Sequence, residues 1–258
     1  MKGLHRRWER RFGGNGKRAR LQVAGLGALA AALAFGAADA GAATNITADT
    51  APGVSLGTTV TAKGSVYTID NGTLVGSNLF ESFSAFSLAA GDTARWTYTA
   101  GNPAAITNLI NRVTGGAPSN ISGALNSTSL SQANLYFINP AGVVFGHGAS
   151  VAVAGAAHFS TSSKLIFSDG SVFTATTPTG STLSMASPSA FGFLGGEGDI
   201  AFSGVSGGFS KVVGGASFDA ADVQASNSSL QFGHLDLIAA GNQTLAVPVI
   251  APLSVGGF

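Results

Sequence analysis

Apolar residues in this chain arrive in short alternating bursts, among them SVYTID, NLYFI, GVVFG, SVAVAG, KLIFS and DIAFSG, each bounded by Gly, Asn, Asp or Ser. A period of two puts successive side chains on opposite faces, so every burst reads as a strand and every polar boundary as a tight turn. The chain is therefore expected to be all-β. One stretch departs from the pattern. NPAAITNLINRVTGG sets Ala105, Ile106, Leu109, Ile110 and Val113 at i, i+1, i+4, i+5 and i+8, behind Asn102 as N-cap and Pro103 at N1, with Gly115 as a stop. That spacing predicts a helix of about two to three turns.

Strands this short, recurring at intervals of roughly 8–12 residues, suit either a sandwich or a β-solenoid. Small residues at most interior positions favour stacked coils. The chain has no cysteine, so the Cys-Trp-Cys pattern of an immunoglobulin-like sandwich is missing. No strict repeat is visible, and the pattern alone leaves both architectures open. As a solenoid, at roughly 20 residues per coil, the part of the chain beyond residue 43 would wind about ten coils.

Charge divides the chain in two. Eight of the thirteen Lys and Arg lie in the first twenty residues, ahead of the apolar run LQVAGLGALAAALAFGAADAGAA. A basic segment, an apolar segment and a small-residue cleavage site make residues 1–43 a secretory signal, cut after Ala40, Ala42 or Ala43. The expected export partners are the Sec translocon and signal peptidase. Beyond the leader only Lys63, Arg95, Arg112, Lys164 and Lys211 stand against ten acidic residues. Without a basic stripe, nucleic acid is excluded as a partner, because neutralising phosphates takes clustered Lys and Arg. Without cysteine, stability must come from the core.

Asn139-Pro140-Ala141-Gly142 has turn chemistry at each position. Asn139 can bond backbone two residues on, Pro140 presets φ at i+1, and Gly142 suits i+3. Ala141 at i+2 resists the positive φ of a type II turn, so type I is expected. Four segments in order, NLFESFSAFSL from Asn78, NRVTGGAPSNISGAL from Asn111, NLYFINPAGVVFGHGASVAVAG from Asn134, and FSTS followed by FGFLGG, resemble the landmarks of the two-partner secretion domain of filamentous-haemagglutinin-like exoproteins. The likeness runs from about Thr44 to Gly196. Two departures stand out: Ala141 replaces the second Asn of the family's usual Asn-Pro-Asn-Gly, and the Asn-Pro-Asn-Leu motif of some members is absent.

The resemblance implies a right-handed, single-stranded parallel β-helix with an N-terminal cap and small extra-helical elements. It would occupy residues 44–250, with 251–258 as a frayed tail. It also implies a job that needs no cofactor: addressing an exoprotein to a dedicated outer-membrane transporter, whose periplasmic domains bind it before it passes to the surface or medium of a Gram-negative cell. Asn139, Pro140, Gly142, Phe145 and Gly146 match the family turn and its flank. Arg112, Gly115, Gly116, Asn120 and Ile121 match its RVTGG-PSNI landmark. Each set suits either a structural role or contact with the transporter. Arg112, one of so few cations, is expected to clamp a carboxylate or loop carbonyls, and Phe80, Phe83 and Phe86 to pack under a cap.

Two rival functions are weaker. An enzyme on the same scaffold would need clustered carboxylates on one sheet face. Here the closest pairs, Glu197/Asp199 and Asp219/Asp222, flank small-residue turns with no Arg beside them, and His147, His158 and His234 lack metal-ligand spacing. A short surface adhesin binding a host or cell-surface receptor is the stronger rival, since no long repeats follow before Phe258.

Overall fold

The computed structural model describes residues 43–206 and 208–230, and the backbone of 235–239. The expected leader at 1–43, its cleavage sites and the tail at 251–258 lie outside the described residues, apart from Ala43.

A cap opens the fold. It comprises β1 (Asn45–Ala48), the hairpin β2 (Thr58–Lys63) and β3 (Val66–Asn71), and β4 (Thr73–Val75). The chain then coils. The first coil holds β5 (Asn78–Ser87) and β6 (Thr93–Trp96), the second β7 (Asn108–Val113), β8 (Ser119–Ile121) and β9 (Ala124–Asn126), and the third β10 (Asn134–Ile138), β11 (Val143–Phe145) and β12 (Ser150–Val153). The fourth begins with β13 (Ala157–Ser160). It is interrupted by an antiparallel sheet of β14 (Lys164–Phe167), β15 (Val172–Thr174) and β16 (Pro188–Gly192), and resumes with β17 (Ile200–Ser203) and β18 (Lys211–Val212). After it come β19 (Ala216–Ala220), β20 (Val223–Ser226) and β21 (Leu235–Ala239).

Parallel pairing of equivalent strands builds three faces. The first runs β5-β7-β10-β13-β19-β21 behind the antiparallel β1, the second β8-β11-β17-β20, and the third β3-β6-β9-β12-β18 with β2 at its edge. This is the parallel β-helix expected from the resemblance, with its cap and its extra-helical element. Six rungs stack on the first face among the described residues, not about ten. Steps of 30 and 26 residues separate the equivalent Asn78, Asn108 and Asn134, and the inserted sheet uses a further stretch.

The expected helix is absent. Pro103–Ala105 makes one 3-10 turn, capped by Asn102 Oδ1 accepting from the Ala104 N–H at 3.0 Å, and Asn108–Val113 is strand β7. Every residue of β7 is buried. Leu109 and Val113 face the helix interior, while Ile110 faces the inserted sheet. A strand covered on both sides loses its polar-apolar alternation, so consecutive apolar residues imitate a helical stripe.

Side chains of equal register stack into columns inside the helix. Glu81, Asn111, Phe137, Phe159 and Phe218 occupy one, with Phe159 and Phe218 stacked at 5.6 Å. Phe145 of the second face meets Phe159 edge-on at 5.0 Å and lies parallel to Phe202 at 5.2 Å. Edge-to-face and offset contacts of this kind add to burial energy. A bulge opposite Thr47/Ala48 shifts β5, so Phe83 and Phe86 both point inward, while Phe80 points outward under the inserted sheet.

Candidate recognition site

The turn that follows β10 is held from above and below. Gly142 N–H donates to Asn139 O at 3.0 Å, closing it, and Asn139 Oδ1 accepts from Ala141 N–H at 3.0 Å. Ala141 keeps a negative φ, which excludes type II, and Gly142 sits at φ +121. The Asn139 amide donates to Ala117 O at 3.0 Å and Ser119 Oγ at 2.9 Å on the coil before. On the coil after, Gly198 N–H donates to Pro140 O at 2.8 Å, and its Cα lies so close that a Cβ there would stand 2.4 Å from Ala141 O. Asn139 is fully buried and all three of its side-chain bonds stay inside the fold; Pro140 is half-buried. Phe145 and Gly146, just beyond, are buried in the core and against Ser122.

Arg112 is the second organised group. It is 1 % exposed, yet its guanidinium meets no carboxylate directly. Nε donates to Ser82 Oγ at 2.8 Å, Nη1 to Thr174 O at 2.8 Å and Ser181 Oγ at 2.6 Å, and Nη2 to Val54 O at 2.9 Å. Ser82 passes the contact on to Asp49, 2.6 Å away, and the Phe173 ring lies 4.5 Å from the guanidinium carbon. Burial lowers the Arg112 pKa to about 10, while the charge of Asp49 opposes that shift. The expected clamp on loop carbonyls is what the side chain makes. It joins the cap, the first coil and the inserted sheet.

Gly115 and Gly116 follow on an exposed turn. A Cβ on Gly115 would fall 1.8 Å from Ser84 O, on the bulged strand, so only glycine fits. Asn120 is half-buried in β8, and Ile121 points into the core. The predicted residues thus form two separate groups. Asn139 stacks on the Ala117–Ser119 turn that follows Gly115 and Gly116, whereas Arg112 reaches outward to the insertion.

Two features escaped the sequence reading. Asn78, Asn108 and Asn134 form an amide ladder: Asn108 Nδ2 donates to Asn78 Oδ1 at 2.8 Å, and Asn134 Nδ2 to Asn108 Oδ1 at 3.2 Å. An Asn opening three successive strands at β5, β7 and β10 was the available signal. The other is Glu81, at 0 % exposure beneath the cap with neither carboxyl oxygen hydrogen-bonded. Burial raises its pKa to about 8; the nearby Thr58 hydroxyl, outside hydrogen-bond geometry, opposes this and Asp70 reinforces it. Glu81 is thus mostly protonated at neutral pH.

The two acidic pairs of the sequence are partnered differently in the fold. Glu197 accepts from Ser163 Oγ and from the Leu194 and Gly195 N–H groups, while Asp199 shares its environment with Asp222 on the next coil and has its pKa raised by burial and by that charge. Asp219 accepts from Ser217 Oγ at 3.3 Å. His158 stacks on Tyr136 at 4.5 Å and burial lowers its pKa to about 4, so it is neutral at pH 7. His147 is exposed, and His234 lies outside the described residues. Among the described residues no three His, Cys, Asp or Glu side chains cluster.

A capped parallel β-helix with an Asn-Pro turn locked between coils and an extra-helical sheet defines a capped β-solenoid domain. The family model of the TPS secretion domain matches residues 44–251, and the chain belongs to that family. It is accordingly a two-partner secretion exoprotein, of the kind that passes through the periplasm and works with an outer-membrane transporter. A search of curated proteins returns no match.

Proposed function

We propose that residues 44–250 are the address by which this exoprotein is delivered to its cognate outer-membrane transporter, and that the transporter's periplasmic domains read it before it folds. The observation that carries this reading is the internal use of Asn139. Its amide and carbonyl are spent on Ala117, Ser119 and Ala141, so the folded turn offers a partner no side-chain group at that position. An extended, unfolded segment offers its whole backbone instead. Pairing that backbone with a strand edge gives affinity, and alternate side chains give specificity. No cofactor or catalytic group takes part. Residues 1–43 act as the signal that brings the chain through the Sec translocon to signal peptidase.

Co-expression with and without the cognate transporter, scored by appearance of the chain at the surface or in the medium, tests the assignment. Export should require the transporter; equal export without it would overturn the reading. Asn139→Ala should lower folded stability by about 2–3 kcal/mol through three lost hydrogen bonds while export persists. Lost export at unchanged thermal stability would assign the side chain to partner contact instead.

A further inference from the structure

The inserted sheet makes contacts that run backwards along the chain. Its strands lie on the outer side of the first face, where Leu165, Phe167 and Phe173 pack with Phe80, Ile110 and Tyr136. Phe80 and Ile110 are fully buried there, at positions that would face water in a bare solenoid. Polar ties follow the same route. Arg112 of the second coil donates to Thr174 O and Ser181 Oγ, 62 and 69 residues downstream. Asn78, which opens the first coil, donates to Ser184 O at 2.8 Å and Ala186 O at 2.7 Å, 106 and 108 residues downstream.

In an ordinary solenoid each coil touches only its neighbours, so the earliest coils can lock as soon as the next one follows. Here they cannot. Uncovered, the outer face of the first three coils presents a run of large apolar side chains. The two aromatic rings, Phe80 and Tyr136, at about 150–250 Å² each, together with Ile110 and Ile138 bring the run to the upper end of what a soluble monomer's surface carries, roughly 300–600 Å². The Arg112 guanidinium, on the same outer side, would at the same time exchange its Thr174 and Ser181 acceptors for water, so the tie it makes to the insertion forms only on docking.

We propose that β14–β16 act as a keystone: the cap and the first three coils do not lock until this sheet docks, so a chain delivered N-terminus first keeps residues 44–153 open until Gly192 has followed. Resting on the export reading above, the keystone gives the transporter a window in which the address is still extended.

Pulse-labelled hydrogen exchange during refolding of the chain from Thr44 to Phe258 tests the order. Amides of β5 and β7 are expected to gain protection in the same kinetic phase as those of β14 and β16. Protection of β5 and β7 in an earlier phase would overturn the proposal. Arg112→Met, which keeps bulk but removes the tie to the insertion, should slow that shared phase at least tenfold; an unchanged rate for β5 and β7 would count against the keystone. Excision offers a further arm, because Lys164 and Gly192 are register partners in an antiparallel pair. Their Cα atoms are therefore about 5 Å apart, and Ser163 can be joined to Phe193 through two glycines. In that variant β5 and β7 amides should exchange at least a hundredfold faster than in the intact chain, and retained protection would refute the idea. Co-locking of β5 with β14 in a chain that exports without any transporter would remove the export reading and leave the keystone standing.

Discussion

Changing Glu81 to Gln should abolish one specific component of the pH dependence of stability. The Glu81 carboxyl is buried with no hydrogen bond to either oxygen, and its pKa rises from 4.5 to about 8. Gly72 closes over it so tightly that a Cβ there would stand 2.7 Å from the carboxyl carbon, leaving little room for relaxation. Because the folded state holds this proton more tightly than the unfolded one, the contribution to stability is fully present below pH 4.5. It declines as pH rises and is gone above about pH 8. The full shift is worth about 5 kcal/mol as a ceiling, at roughly 1.4 kcal/mol per unit. The buried His158 works in the opposite direction, its pKa lowered to about 4, so its stabilising share is present above pH 6.5 and is lost only as pH falls from there towards 4. The clean window is therefore pH 6.5 to 8, where Glu81 alone of these two should cost the wild type about 2 kcal/mol. Urea unfolding at intervals across that window reads the difference. Wild type should weaken steadily while Glu81→Gln stays flat relative to it. Parallel curves would show that the carboxyl is already ionised or already partnered, and the account of the cap would fail.

Other substitutions probe the remaining structural statements. Gly115→Ala should destabilise by about 3 kcal/mol or more, because the new methyl overlaps Ser84 O and the bulge must move; near-normal thermal unfolding would show that the turn and the bulged strand sit further apart. Phe145→Ala, removing the ring that meets Phe159, Phe202 and Phe209, should cost about 3–5 kcal/mol in denaturant unfolding. Asn78→Ala leaves two carbonyls of the inserted loop unsatisfied and should cost about 2–3 kcal/mol, with faster hydrogen exchange at Ala186 and its neighbours as the local signature.

How much of this was legible in the residues differed from place to place. The third-coil strands were readable because β12 alternates buried and half-buried positions, so the apolar period survives in the sequence. Strand β7 was not, because the inserted sheet buries its outer face and erases that period. A sheet that arrives some fifty residues later in the chain cannot be anticipated from a local window. The same long-range element hid the coil number, since its residues were counted as turns of the helix. The Asn139 turn was legible down to its type, because Ala141 excludes positive φ, but its burial was not: that depends on Gly198, on the next coil. Arg112 was recognisable as a clamp from its scarcity, whereas its acceptors at Val54 and Thr174 carry no side-chain signal, being backbone carbonyls. Nothing in NLFESF marks Glu81 as an inward position, and Gly72, which closes over its carboxyl, carries no side chain to signal the contact.

The asparagine ladder has a direction. Asn134 and Asn108 each donate towards the coil before and accept from the side of the coil after, with Ala156 N–H on Asn134 Oδ1, while Asn78 at the head of the ladder accepts from Asn108 and donates to the inserted loop. A rung wound one residue out of step would put the wrong side chain at one level and break the run on both sides of it. The three residues thereby act as a checksum on winding, rejecting a misregistered turn when the coils lock.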